Sequence, residues 1–210
     1  MTPLIKANST VLFQGDSITD AGRNRADPAN LGSGYALLAG AWFGASHPEL
    51  NVKFLNRGIG GNRAADLRAR WKADCLNLKP DWVSILIGIN DTWRRYDSGD
   101  PTSTKTFEDN YRAILEAIKT NLDSRLIMAE PFVLPYPADR KTWREDLDPK
   151  IEVVHKLAEE YQAILLPLDK IFTEALKTQD AAYWTPDGVH PSPAGHALIA
   201  RTWLRAVEAL

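Results

Sequence analysis

Cysteine is almost absent from this chain: of 210 residues, only Cys75 carries a thiol. A lone cysteine closes no internal disulfide and offers no paired-cysteine metal site, so the fold depends on its apolar core. Within "ADCLNLKP" it falls in a helical pattern, where a small buried residue is expected rather than a reactive thiol. An excess of charge is lacking too. Lys and Arg number 25 against 27 Asp and Glu, a net charge of −2, which gathers neither nucleic acid nor an anionic membrane. No apolar run approaches bilayer length, and "MTPLIKANSTVLFQ" has neither the basic start nor the small-residue cleavage site of a signal peptide. The expectation is a cytoplasmic protein. The motif His-Glu-x-x-His is also missing, and no metal or organic cofactor is expected.

What the sequence does contain is alternation. Short apolar runs, "VLFQ" at 11–14, "VKFL" at 52–55, "WVSILIG" at 82–88, "RLIMAEP" at 125–131 and "AILLPL" at 163–168, read as strands buried on both faces. Between them, "GYALLAGAWFGASH", "AADLRARWKADCLNL", "FEDNYRAILEAIKTNL", "KIEVVHKLAEEY" and "SPAGHALIARTWLRAVEAL" place apolar residues three and four apart, as helices do. Strand alternating with helix implies right-handed crossovers and a parallel sheet covered on both faces. The fold class expected is α/β: a doubly wound three-layer sandwich with a five-stranded parallel sheet, as one domain over residues 1–210. In such sheets ligands collect beyond the carboxyl ends of the strands. The stretches leaving strands one, three and four, "AGRNRADPANLGSG", "NDTWRRYDSGDPTSTKT" and "FVLPYPADRKTWRED", are expected as long loops at that edge.

Three short blocks fall after strands, and a fourth lies in a turn before the last helix. In "GDSITD" (15–20), Ser17 reads as a helix cap or a nucleophile, and Asp16 as an anchor of the turn. The glycines of "NRGIGGNRAADL" (56–67) suit a plain turn or backbone amides aimed at a ligand; Arg63 occupies the third glycine position of a dinucleotide fingerprint. In "IGIND" (87–91), Asn90 offers an uncharged donor, although Asn-Asp is also an ordinary turn signal. In "DGVHPSPAGH", Asp187 and His190 precede the helix cap Ser192-Pro193, and one turn supplies a base with a carboxylate to fix its tautomer. His47, His155 and His196 lie in or beside helical patterns and are expected to pack or cap.

"GDSITD", the glycine of "GIGGN", "GIND" and "DGVH", in this order, resemble the sequence blocks of the SGNH or GDSL hydrolase family. "GDSITDAGR", "RWKAD", "KPDWVSILIGINDTWRRYD" and "VHPSPAGHALIAR" are similar, more narrowly, to bacterial intracellular acetylxylan esterases of that family. The resemblance implies a flavodoxin-like fold and a serine esterase removing acetyl groups from carbohydrate. Ser17 would be the nucleophile, His190 the base and Asp187 its partner. The oxyanion donors would be the Ser17 amide, the Asn90 side chain and Gly61, preferred to Gly60 because the family places its donor glycine directly before Asn or Asp. The competing readings are a lysophospholipase or thioesterase for longer acyl chains, and a catalytically silent carbohydrate-binding module. The expected partner is a small acetylated carbohydrate. Trp93 and Trp184, near Asn90 and Asp187 in sequence, are expected to bind it, helped by Arg23, Arg25, Arg94, Arg95, Tyr96 and Tyr136, while Trp143 packs a loop or binds sugar. Most of the seven tryptophans are expected in the core, with some free for sugar stacking or for a homo-oligomer.

Overall fold

The computed structural model describes residues 2–210. Strands β1 (Thr10–Gly15), β2 (Lys53–Asn56), β3 (Trp82–Leu86), β4 (Arg125–Ala129) and β5 (Ile164–Leu166) form one sheet in the order β2-β1-β3-β4-β5. All four pairings are parallel. The helices are α1 (Ser17–Asp20), α2 (Tyr35–Ser46), α3 (Ala64–Asp74), α4 (Ile89–Asp97), α5 (Thr104–Asn121), α6 (Arg144–Glu160), α7 (Leu168–Ala175), α8 (Ala181–Trp184) and α9 (Pro193–Ala206). Among the described residues, no helix is long and apolar enough to cross a membrane.

Period-two alternation in the central strands divides the core in two. Val11, Phe13, Trp82, Leu86, Ile127 and Ala129 face the layer of α2, α7 and α9. Leu12, Val83, Ile85, Leu126 and Met128 face α3, α5 and the later half of α6. A polar residue inside the first layer is satisfied rather than excluded: Ser84 Oγ accepts from the Trp203 indole N–H at 3.2 Å. The outer strands depart from the expected burial on both faces. Lys53 is exposed and Phe54, Ile164 and Leu165 are only partly covered, because each edge strand has a neighbour on one side alone.

Two of the three expected loops are partly helical, and the stretch after β1, 21–34, is a loop as expected. "INDTWRRYD" after β3 forms α4, with Gly88 before it at φ +132°, and the stretch after β4 winds into a 3-10 turn over Ala138–Trp143. Leu168, read as the end of β5, instead begins α7, where Leu168, Ile171, Phe172 and Ala175 form an apolar stripe. The four-residue α1 begins directly after β1. Strand order reverses direction between β1 and β3, opening a crevice at their carboxyl ends. Ser17 leaves β1 into that crevice and Asn90 leaves β3 into it.

Candidate active site

The turn after β1 is capped by Asp16, whose Oδ1 accepts the Ile18 N–H at 3.0 Å. Ser17 is therefore the first helical residue and not the cap, and its own N–H is among the amides a helix start leaves unpaired. Asp16 is fully buried; burial pushes its pKa up to about 7 against the pull of the Ile18 amide and of His190.

His190 and Asp187 reach Ser17 across 173 residues of chain. Ser17 Oγ lies 2.8 Å from His190 Nε2, and His190 Nδ1 lies 2.6 Å from Asp187 Oδ2. The other Asp187 oxygen accepts the backbone N–H groups of Val189 at 3.0 Å and His190 at 2.7 Å. Burial alone would raise the Asp187 pKa, but the His190 ring and these two amides outweigh it and bring it to about 2. The same carboxylate raises the pKa of His190, against burial, with a smaller contribution from Asp16. An ionised Asp187 only accepts, so Nδ1 carries the imidazole proton and Nε2 is left to accept from the Ser17 hydroxyl.

This turn has its shape because residue 188 is glycine. Gly188 sits at φ +86°, and a Cβ there would stand 2.1 Å from the Tyr136 carbonyl oxygen and 2.9 Å from that of Leu134. The Leu134 N–H donates to Gly188 O at 2.8 Å, tying the segment after β4 to the Asp187 turn.

The loop after β2 passes beside Ser17: a Cβ on Gly60 would lie 3.8 Å from that of Ser17. The Gly60 N–H is taken by Asp20 Oδ2 at 3.1 Å, whereas no acceptor among the described residues takes the Gly61 N–H. Gly61, at φ +81°, is thus the glycine left free to donate. Asn90 enters from the first turn of α4, buried, with one Nδ2 hydrogen on Asn62 O at 3.1 Å and the other unassigned. Its neighbour Asp91 escaped notice in the sequence. It is fully buried, its Oδ2 accepts the Ala64 N–H that opens α3 at 3.0 Å, and burial lifts its pKa to about 7.

The expected sugar-binding residues separate. Trp93 lies at the site, its ring 5.7 Å from that of His190 and 5.2 Å from that of Trp143. Trp143 is buried beneath it and stacked on Tyr96 at 5.2 Å, so it packs the loop. Trp184 is not part of the cluster. Its indole donates to Ala175 O at 3.1 Å and lines a groove of about 400 Å³ with Leu38, Trp42 and Leu198, because α8 turns it toward α9 and away from the Asp187 turn. The arginines are largely engaged by the protein: Arg23 by Gly58 O, Arg25 by Asp20, Arg94 by Asp97, and Arg95 by Glu145 and Asp146. Tyr136 is exposed beside the Asp187 turn.

The remaining titratable candidates have structural surroundings. His155 pairs with Glu130, and His196 Nδ1 accepts the Tyr35 N–H at 3.1 Å, with burial lowering its pKa to about 4. Cys75 is buried, which pushes its thiol up to about 12. Among the described residues, no three His, Cys, Asp or Glu side chains come together as a metal site.

Comparison with known proteins identifies the family. The profile of the GDSL-like lipase/acylhydrolase family matches residues 13–198. An acetylxylan esterase from Geobacillus stearothermophilus is 38% identical over 97% of this chain and 95% of its own. The crystal structure of that organism's acetylxylan esterase Axe2 superposes with a TM-score of 0.88 at 37% identity, covering 97% of this chain and 95% of Axe2. Axe2 variants described as catalytic mutants replace a serine, an aspartate or a histidine with alanine. A GDSL-like lipase from Parabacteroides merdae superposes with a TM-score of 0.94 at 37% identity, covering 98% of each chain. With its four sequence blocks gathered at one end of a matching fold, the chain belongs to the GDSL-like lipase/acylhydrolase family and is a carboxylic ester hydrolase.

Proposed function

We propose that the chain removes acetyl groups from acetylated xylan fragments or similar carbohydrates, with Ser17 as nucleophile, His190 as general base and Asp187 as its partner. The observation that carries this reading is the unbroken chain of hydrogen bonds Ser17–His190–Asp187 at the crevice beyond β1 and β3. The full-length likeness to acetylxylan esterase supports the substrate class.

In the forward step His190 Nε2 takes the Ser17 proton as Oγ attacks the acetyl carbonyl. The carbonyl oxygen becomes an oxyanion, stabilised by the Ser17 and Gly61 amides and the free hydrogen of Asn90 Nδ2. His190 then protonates the leaving sugar oxygen, giving an acetyl-Ser17 ester and a free alcohol. Water, losing its proton to the same nitrogen, attacks that ester and releases acetate. Asp187 holds the ring in the tautomer this requires and stabilises the imidazolium formed at each step. A cytoplasmic location goes with this proposal, and the chain's one buried thiol agrees with a reducing compartment.

The test has two arms. Ser17→Ala should lose at least a thousandfold in turnover while keeping its melting temperature, as expected of a missing nucleophile. In a series of p-nitrophenyl esters from acetate to decanoate, kcat/KM should fall with acyl length. A rise toward decanoate would replace the deacetylase reading with a lipolytic one.

A further inference from the structure

Behind the loops that bear Ser17 and Gly61 lies a largely covered arginine with no role in the steps above. Arg70 projects from α3 with its side chain 15% exposed. Burial lowers its pKa even though Asp74 opposes the effect. Its planar guanidinium makes contacts in several directions. Nη2 donates to Gly15 O at 3.2 Å, two residues before Ser17. Nη1 faces Arg57 O at 2.7 Å, Asp74 Oδ2 at 2.9 Å and Gln14 Oε1 at 3.1 Å. Nε donates to Asn62 Oδ1 at 2.8 Å, and Asn62 is the residue after Gly61. The carbonyl of that same Asn62 accepts from Asn90. One side chain therefore touches the end of β1 and both ends of the loop after β2, and it reaches Asn90 through one intermediary.

Arg70 is not needed to dock α3. Leu67 and Trp71 bury that helix in the core, and Asp91 satisfies its first amide. We propose that Arg70 is a positioning residue for ester hydrolysis, holding the Ser17 turn and the Gly61 loop at the separation that the tetrahedral intermediate requires. The proposal rests on the assignment of Ser17, Gly61 and Asn90 made above. A lysine cannot substitute, since a single ammonium does not reach Gly15 O, Arg57 O and Asn62 Oδ1 together.

The experiment compares Arg70→Met and Arg70→Lys with the parent on p-nitrophenyl acetate, and measures inhibition by a phenylboronic acid that mimics the tetrahedral adduct. A displacement of the oxyanion donors by about 1 Å costs on the order of a hundredfold, so both variants should lose about that factor in kcat. KM should stay within about twofold, and boronate affinity should fall in step with kcat/KM. Parental kcat and boronate affinity alongside a lowered melting temperature would make Arg70 a framework residue and overturn the proposal. A raised KM with intact kcat would overturn it as well. If Arg70→Met does not fold, Asn62→Ala removes one arm of the clamp and should show the same kcat loss, smaller in size, with KM unchanged. Inactive Ser17→Ala beside fully active Arg70 variants would overturn this proposal alone. An active Ser17→Ala would instead overturn the site assignment beneath it.

Discussion

Replacing Gly188 by alanine should inactivate the enzyme without touching a reacting group. The added Cβ would lie 2.1 Å from the Tyr136 carbonyl oxygen, so the two backbones must part by about 1 Å to reach an ordinary contact. At φ +86° an L side chain also costs about 1–2 kcal/mol. Parting the segments weakens the Leu134–Gly188 hydrogen bond, worth about 1 kcal/mol. The total, about 2–3 kcal/mol, corresponds to a fall in Tm of roughly 4–12 °C for a chain of this size. The catalytic loss should be larger in proportion, because Asp187 and His190 belong to the same turn and a shift of about 1 Å costs on the order of a hundredfold in rate. Steady-state hydrolysis of p-nitrophenyl acetate and a thermal melt measure both effects on one preparation. A Gly188→Ala protein with parental kcat and Tm would refute the argument that this close approach sets the Asp187–His190 geometry.

Asn90→Asp keeps the side chain's shape but loses its donor, and should lower kcat by about 10² to 10³ with KM little changed; a raised KM at normal kcat would make Asn90 a substrate-binding residue instead. With His190 as the proposed base, which acts only when neutral, and its pKa raised by Asp187, activity should rise with pH through a group above the ordinary imidazole value of about 6.5. That limb should move to lower pH in Asp187→Asn and stay in place in His155→Ala, and a pH–rate profile of each variant decides it. Asp91 binds its proton more tightly folded than unfolded, with a pKa of about 7 against 3.8, so its charge costs stability increasingly as pH rises from about 4 through 7. Melts of Asp91→Asn should therefore gain on the parent between pH 4 and pH 8, and a constant difference across that range would contradict the burial argument.

The strands and the main helices were legible because their apolar periods are clean, and the chemistry was legible because three blocks follow strands and the fourth, Asp187 to His190, fills the turn before α9. Helix α4 was obscured by Asn90-Asp91, which imitates a turn, although Ile89, Trp93 and Tyr96 recur at helical spacing and were the available signal. Helix α7 was hidden when Leu168 was absorbed into the strand before it. Trp184 was misjudged because it ends α8, which holds its indole on Ala175 O, so closeness to Asp187 in sequence does not carry the ring to the site. Asp20 on Gly60 and Arg70 on Gly15, Arg57 and Asn62 are long-range contacts of ordinary charged residues, with no local pattern to announce them. The engagement of Arg23 and Arg25 by Gly58 and Asp20 belongs to the same class.

The 173 residues separating Ser17 from His190 also bear on how the molecule is made. A chain emerging from the ribosome presents Ser17 just past the first strand, then must complete the other four strands before His190 arrives. A truncated or half-folded product therefore holds a serine with no partner and hydrolyses nothing. Ester cleavage accordingly reports completed synthesis and assembly, so release of p-nitrophenol can time the last stage of folding without any added label.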